Sequence, residues 1–229
     1  MGLTASNEDY LRAIWKLEEW QDHPATSGEL ARALGLSPST VSEGVSRLVS
    51  LGLVRHAPYG AISLTDEGRK QAARMVRIHR VLETGLVQLF GYSWDEVNAE
   101  AEQLEHAVSD LFIERLDAAL GHPQRDPHGD IIPLPSGEIP DTVAAPDEQI
   151  RLCDLAVGEG GRVERVSDTD SDVLVYLDEL GVVPGTRLRV TGVRRGVGIV
   201  RVSVSDREFD VALNAAQVVL VAVDPDAAH

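Results

Sequence analysis

Between Thr26 and Thr65 the chain spells out helix, tight turn, helix and two paired short strands within about 40 residues, an order that a winged helix-turn-helix satisfies. Thr26 followed by Glu29 is a capping-box pattern, Gly35 closes the helix it opens, Ser37 caps the next helix, and Pro38 takes that helix's first position. The stripe Val41, Val45, Leu48 and Val49 carries this second helix to about Ser50. Residues 51–55 and 61–65 read as strands joined by residues 56–60, which makes a wing. An earlier helix over residues 4–21 follows from Tyr10, Leu11, Ile14 and Leu17. In such modules the second paired helix enters the major groove, so Ser37, Pro38, Ser39, Thr40, Ser42 and Arg47 are the expected DNA-facing residues. Hydroxyls bond phosphates or base edges, and Arg47 reaches a phosphate. The plainer alternative is a small polar face on an ordinary helical domain, and the wing weighs against it.

The chain's 229 residues, 43% of them hydrophobic, suffice for two or three domains with real cores. No apolar run approaches the roughly 20 residues needed to span a bilayer, and residues 1–6 lack the basic and apolar blocks of a secretory signal. A cytoplasmic location with no membrane partner is therefore expected. The single cysteine, Cys153, excludes an internal disulfide and a thiolate-rich zinc knuckle. A net charge of −16 opposes binding to a polyanion, but residues 1–65 carry only seven acids against five bases. The excess of acid falls in the later segments.

Thr65-Asp66-Glu67 starts a long helix that runs to about Phe90, ended by Gly91, and Ser93 with Glu96 predicts a further helix to about Leu120 with a break near Ser109. Leu86, Leu89, Phe90, Leu111, Phe112 and their apolar neighbours exceed what a two-helix hairpin can hide, which predicts a homodimer. Six prolines between His122 and Asp147 mark an irregular arm. Beyond it, five β-rich runs between Gly161 and Val223, with a helical stretch over Val173–Leu180, predict a five-stranded SH3-like small β-barrel. The fold class is α+β: a winged helix-turn-helix over 1–65, a helical metal-binding and dimerisation domain with its arm over 66–140, and the barrel over 141–229.

On a helix, Glu102, Glu105 and His106 project from one face at i, i+3 and i+4, and His79 with Glu83 repeats carboxylate and imidazole chemistry one helix earlier. Either this is a solvated acidic face, or the carboxylates lie near a core and need a cation. Asp9 reads first as an acid complementing a helix dipole, His122 and His128 as surface histidines, and Asp168, Asp170 and Asp172 as a loop or helix-cap cluster. A carboxylate-bridged di-metal enzyme would need Glu-x-x-His on two helices, and neither constellation has that spacing. A winged-helix regulator of an organic ligand, with the acids incidental, stays open.

Glu8-Asp9-Tyr10-Leu11-Arg12 through Glu19, Ser37-Pro38-Ser39-Thr40-Val41-Ser42, His79 with Glu83, and Glu102-x-x-Glu105-His106 together resemble the diphtheria toxin repressor family over nearly the whole chain. The branch is similar to manganese transport regulators that keep a third, SH3-like (FeoA-type) domain. This resemblance implies a homodimeric repressor that binds a double-stranded DNA operator when loaded with Mn²⁺, with Fe²⁺ as the alternative, at two sites per subunit. It implies a primary site of Asp9, Glu102, Glu105 and His106, close to His79. The secondary site it implies uses His79, Glu83, Asp126, His128 and a third-domain acid, for which Asp170 is chosen. Iron-type members carry methionine and cysteine where this chain has Asp9 and Glu102, and two-domain manganese regulators carry glutamate where it has Arg12.

Overall fold

Short polar caps decide where the first helices begin, and the computed structural model, which describes residues 3–21, 23–57, 60–140, 149–205 and 207–224, uses each of them. Helix α1 (Ala5–Trp20) starts behind Thr4, whose hydroxyl accepts from the Asn7 amide. Helix α2 (Ser27–Leu34) has the complete Thr26/Glu29 capping box and ends on Gly35 at φ 63°. In α3 (Pro38–Ser50) the Ser37 side chain accepts from Thr40 N. Strand β1 (Val54–His56) pairs antiparallel with β2 (Ile62–Leu64), and the expected wing tip at Pro58 and Tyr59 lies outside the described residues. Tyr10, Leu11, Ile14, Leu30, Val41 and Leu48 meet in one core, each buried aliphatic side chain contributing about 1.5–3 kcal/mol. Gly44 is needed where α3 crosses Tyr10, since a Cβ would collide with the ring, whose hydroxyl donates to the Thr40 carbonyl at 3.1 Å.

Helix α4 (Asp66–Phe90) runs from the Thr65 cap to Gly91, as the caps predict. The next segment differs from expectation. Ser93 closes a turn by donating its amide and hydroxyl to Glu96 Oε2, so α5 (Val97–Leu104) begins later. It also ends earlier, residues 105–107 forming a turn before Ser109 caps α6 (Asp110–Ala119). The helical face expected to hold Glu102, Glu105 and His106 therefore stops among them. Met75, Ile78, Val81, Leu82, Val97, Ile113 and Ile132 form this region's core, while Leu89, Phe90, Leu111 and Phe112 remain exposed.

The remaining strands form one antiparallel sheet in the order β3 (Gln149–Arg151), β8 (Val219–Val223), β4 (Gly160–Val166), β5 (Arg187–Arg194), β6 (Ile199–Val204) and β7 (Arg207–Ala212). The sheet has six strands where five were expected, because β3 is too short to carry a period-2 signal. Among the described residues no pairing joins β3 to β7, so hydrogen bonds leave the ring open. Helices α7 (Ser171–Leu180) and α8 (Leu213–Ala216) cover a core of Leu152, Val163, Leu174, Leu177, Val190 and Val202. Trp94, from the α4–α5 connection, is buried in this same core and thereby docks the sheet domain on the helical one. Arg165 stacks over the Trp20 ring at 4.6 Å and Arg151 donates to the Trp20 carbonyl at 2.9 Å, fixing the sheet domain to the end of α1. No described helix is long and apolar enough to cross a membrane.

Candidate metal centre

Two clusters of oxygen and nitrogen donors lie side by side where α1, α4, the end of α5, the arm and the sheet domain converge. The outer one brings Asp9, Glu105 and His106 together, with ligand atoms within 4.8 Å of one another. Because Thr4 caps α1, Asp9 sits beyond the first turn, and His106 Nε2 lies 2.7 Å from its Oδ1. Glu8, unforeseen from the sequence, takes the other ring nitrogen of His106 at 2.9 Å. Burial opposes charging of His106, but the hydrogen bonds its charged ring donates to Asp9 and Glu8 outweigh it and raise its pKa. Glu102 is not drawn into this group. Its carboxylate accepts from Arg12 at 2.8 Å and its side chain is half exposed. The turn that follows α5 buries Glu105, whose Oε1 faces His106 at 3.6 Å while Oε2 meets His79 Nδ1 at 2.6 Å, so one carboxylate touches both clusters.

The inner cluster comprises two overlapping sets, His79 with Glu83 and Asp168, and Glu83 with Asp126 and His128, all buried. His79 and Glu83 share a face of α4 at i, i+4. The arm delivers Asp126 and His128 through a tight loop in which Asp126 Oδ1 accepts from the His128 and Asp130 amides, both at 2.9 Å. Gly129, at φ 88°, passes so close to the Glu164 carbonyl of β4 that no side chain fits. The expectation that His128 is a surface histidine fails, since it is 1% exposed and stacks on Trp94, whereas His122 pairs with Asp117 away from both clusters. The acid that the sheet domain supplies is Asp168 rather than Asp170. Helix α7 starts at Ser171, two residues before the sequence reading, which makes Asp170 its exposed N-cap, accepting from Asp172 N and Val173 N.

Chemically these donors fit a divalent ion. His128 Nε2 can donate to the Trp94 carbonyl at 2.7 Å, which leaves Nδ1 as the neutral ring's lone pair; that atom makes no hydrogen bond and faces Glu83 Oε1, itself without one, at 3.8 Å. Glu105 Oε1 is likewise buried without a hydrogen bond, Arg12 Nε standing 3.2 Å away but out of line. The charge crowding shows in the titrations. Burial first, then Asp130 and Glu83, push Asp126 up to about 8. His79 rises to about 9 although burial opposes it, because Glu83 and Glu105 favour the charged ring. Burial also opposes the charged form of Asp168, but Lys16 overrides it and holds the carboxyl well below the usual range.

Beside the inner cluster, and not foreseen, lies an ion-pair network that joins all three domains. Arg80 of α4 contacts Asp130 at 3.0 Å and Glu19 of α1, and Arg165 of β4 meets Asp130 at 2.6 Å. In the first domain, Ser37, Pro38, Ser39, Thr40 and Ser42 are exposed at the start of α3. Arg47 is exposed too, but its Nε donates to Asn7 Oδ1 at 2.7 Å, which ties it to α1.

Comparison with known proteins agrees with this three-part build. Residues 2–62 match the family "Iron dependent repressor, N-terminal DNA binding domain", 65–134 match "Iron dependent repressor, metal binding and dimerisation domain", and 150–223 match "FeoA domain". The iron-dependent repressor IdeR of Mycobacterium leprae (strain TN) is 38% identical over 196 residues, spanning 82% of this chain and 84% of its own. The diphtheria toxin repressor of Corynebacterium glutamicum is 34% identical over 195 residues, with the same coverage. A solved structure titled "Manganese-dependent transcriptional repressor complex with manganese" is 43% identical, covers 94% of this chain and 98% of its own, and superposes with a TM-score of 0.87. A helix-turn-helix head, a helical dimerisation body and an FeoA-type sheet domain meeting at a carboxylate and imidazole centre place the chain in the diphtheria toxin repressor family of metal-dependent, DNA-binding transcriptional repressors.

Proposed function

We propose that the chain is a manganese-activated repressor whose outer cluster is the sensing site. The observation that carries this reading is the origin of the outer donors: Asp9 comes from α1 of the DNA-binding domain, and Glu105 and His106 from the helical domain. A divalent ion held there supplies two positive charges that draw these carboxylates and the imidazole together. The residues do the rest. Asp9 transmits the position of the helical body to α1, and α1 shares its core with α3. In a two-fold dimer packed through the exposed Leu89, Phe90, Leu111 and Phe112, a fixed α1 sets the two α3 helices about one DNA turn, roughly 34 Å, apart. Metal and operator affinities are then linked by about 1–3 kcal/mol.

Manganese is favoured by the donor set. Neither cluster contains a sulfur ligand, and carboxylates with one or two imidazoles suit a hard ion, although affinity alone ranks Mn²⁺ at the weak end of the divalent series. The iron reading draws support from the iron-dependent repressors among the relatives. We assign the outer site to Asp9, Glu105 and His106, with Glu102 available once Arg12 releases it, and the inner site to His79, Glu83, Asp126, His128 and Asp168. Titrating Mn²⁺, Fe²⁺ and Zn²⁺ into an operator-binding assay tests the assignment. Activation by Mn²⁺ at the lowest free concentration relative to Fe²⁺ is not required; saturable activation by Mn²⁺ that Asp9→Ala removes is.

A further inference from the structure

Lys16 and Lys70 are the only lysines in the sequence. Lys16 lies on α1, on the DNA-binding side, yet its ammonium is ion-paired with Asp168 of the sheet domain. Asp168 is at the same time a member of the inner donor set with His79 and Glu83. A cavity of about 20 Å³ is lined by Lys16, His79, Glu83, Asp126 and Asp168, and that is room for one water or ion. In so small a space the Asp168 oxygen cannot serve an ammonium and a divalent ion together. Arg12 and Arg80 line the same cavity, but Asp168 is paired with Lys16. We propose that Lys16 is the cation resident on Asp168 and must leave it before a divalent metal binds there, so that a side chain of the DNA-binding domain gates the inner site.

The inference rests on reading the inner cluster as a metal site and adds to it a competitor built into the chain. Lys16 has somewhere to go. It also lines an open cleft of about 990 Å³ between α1, α2, α5 and residues 167–169, and its four-carbon stem can swing a hydrated ammonium into that space. The exchange has a mechanical consequence, because the Lys16–Asp168 pair ties α1 to the sheet domain. Metal at the inner cluster breaks that tie. At the outer cluster the nearest cation, Arg12, hydrogen-bonds Glu102 outside the group and stands 3.2 Å from Glu105 Oε1 inside it, but both it and Glu105 lie on the first two domains, so no side chain crosses from the sheet domain there.

Calorimetric titration of the metal-stripped full-length protein with Mn²⁺ separates the proposal from the reading beneath it. A second saturable site in the unaltered protein that Glu83→Gln removes establishes the inner site; its absence sinks that reading and the gate with it. Given the site, Lys16→Met removes an intramolecular competitor and tightens the second site by about tenfold or more, with the first site unchanged and Lys16→Arg like the unaltered protein. Equal or weaker second-site affinity in Lys16→Met overturns the gate. Since that variant leaves a buried aspartate unpaired and can fail to fold, the second measurement needs no substitution. Acetic anhydride labelling read by mass spectrometry, with exposed Lys70 as internal reference, gives faster modification of Lys16 in Mn²⁺-saturated than in metal-free protein. An unchanged Lys16-to-Lys70 ratio contradicts the proposal.

Discussion

The outer and inner clusters are built from the same side-chain types and share Glu105 as a neighbour, yet they are arranged for different work. The outer cluster is open to solvent, spans two domains with three donors, and leaves its histidine hydrogen-bonded only to acids. The inner one is closed, draws on α4, the arm and the sheet domain, and already has cations of the chain beside it in Lys16 and Arg80. An exposed, cross-domain site answers readily to the free ion and changes domain geometry when filled. A buried, charge-balanced site costs desolvation and counter-ion exchange first, so it fills later.

Glu105 breaks the comparison most severely, because its two oxygens face different clusters. Glu105→Ala should abolish Mn²⁺ binding at the outer cluster, where it is a donor, and weaken it at the inner one, where it only holds His79, read as a fall in calorimetric stoichiometry to one weakened site; retention of two tight sites would show that the clusters do not depend on it. Asp9→Ala should separate them, removing metal-dependent operator binding by about tenfold to a hundredfold while inner-site binding persists. Next in size is a pH effect. Metal must displace the protons held by His79 up to about pH 9 and by Asp126 up to about pH 8, so inner-site affinity rises with pH through that range, more steeply than outer-site affinity.

The sign for stability is the reverse in metal-free protein. The raised His79 pKa stabilises the fold fully below pH 6.5 and is lost as pH rises through about 9, and ionising buried Asp126 costs stability between its ordinary value and about 8. Thermal melting should therefore fall over pH 6.5–9 without metal and recover with Mn²⁺. The smallest expected effect is that of Asp170→Ala, which removes an N-cap worth about 1 kcal/mol and leaves Mn²⁺ stoichiometry unchanged. Asp168→Asn, by contrast, should lose the second site.

These contrasts mirror what could be read in the sequence. Thr26 with Glu29, Gly35, Ser37 with Pro38, Thr65 and Gly91 are local signals whose hydrogen bonds lie within a turn, and each set its helix end where expected. The Glu102–His106 stretch carries no glycine or proline, so nothing local announces that α5 stops at Leu104; the turn accompanies long-range contacts of Glu105 with His79 and Arg12 that no periodicity encodes. Asp168 was equally hidden. Three acids alternate at 168, 170 and 172, and choosing among them needs both the start of α7 and the docking of the sheet domain on α1. A helix read from Val173 leaves the cap open among them; with α7 starting at Ser171, Asp170 stands directly before it and satisfies its first amides. Lys16 and Arg165 belong to the same class, because their partners are more than 30 residues away.

The central claim is that metal at the outer cluster couples the body to the DNA-reading head. Operator affinity measured at one fixed salt concentration, for chelator-stripped and Mn²⁺-saturated full-length protein, tests it most directly. The account predicts at least tenfold tighter binding with Mn²⁺, a difference that disappears in Asp9→Ala. Equal affinity of the stripped and loaded forms would contradict it.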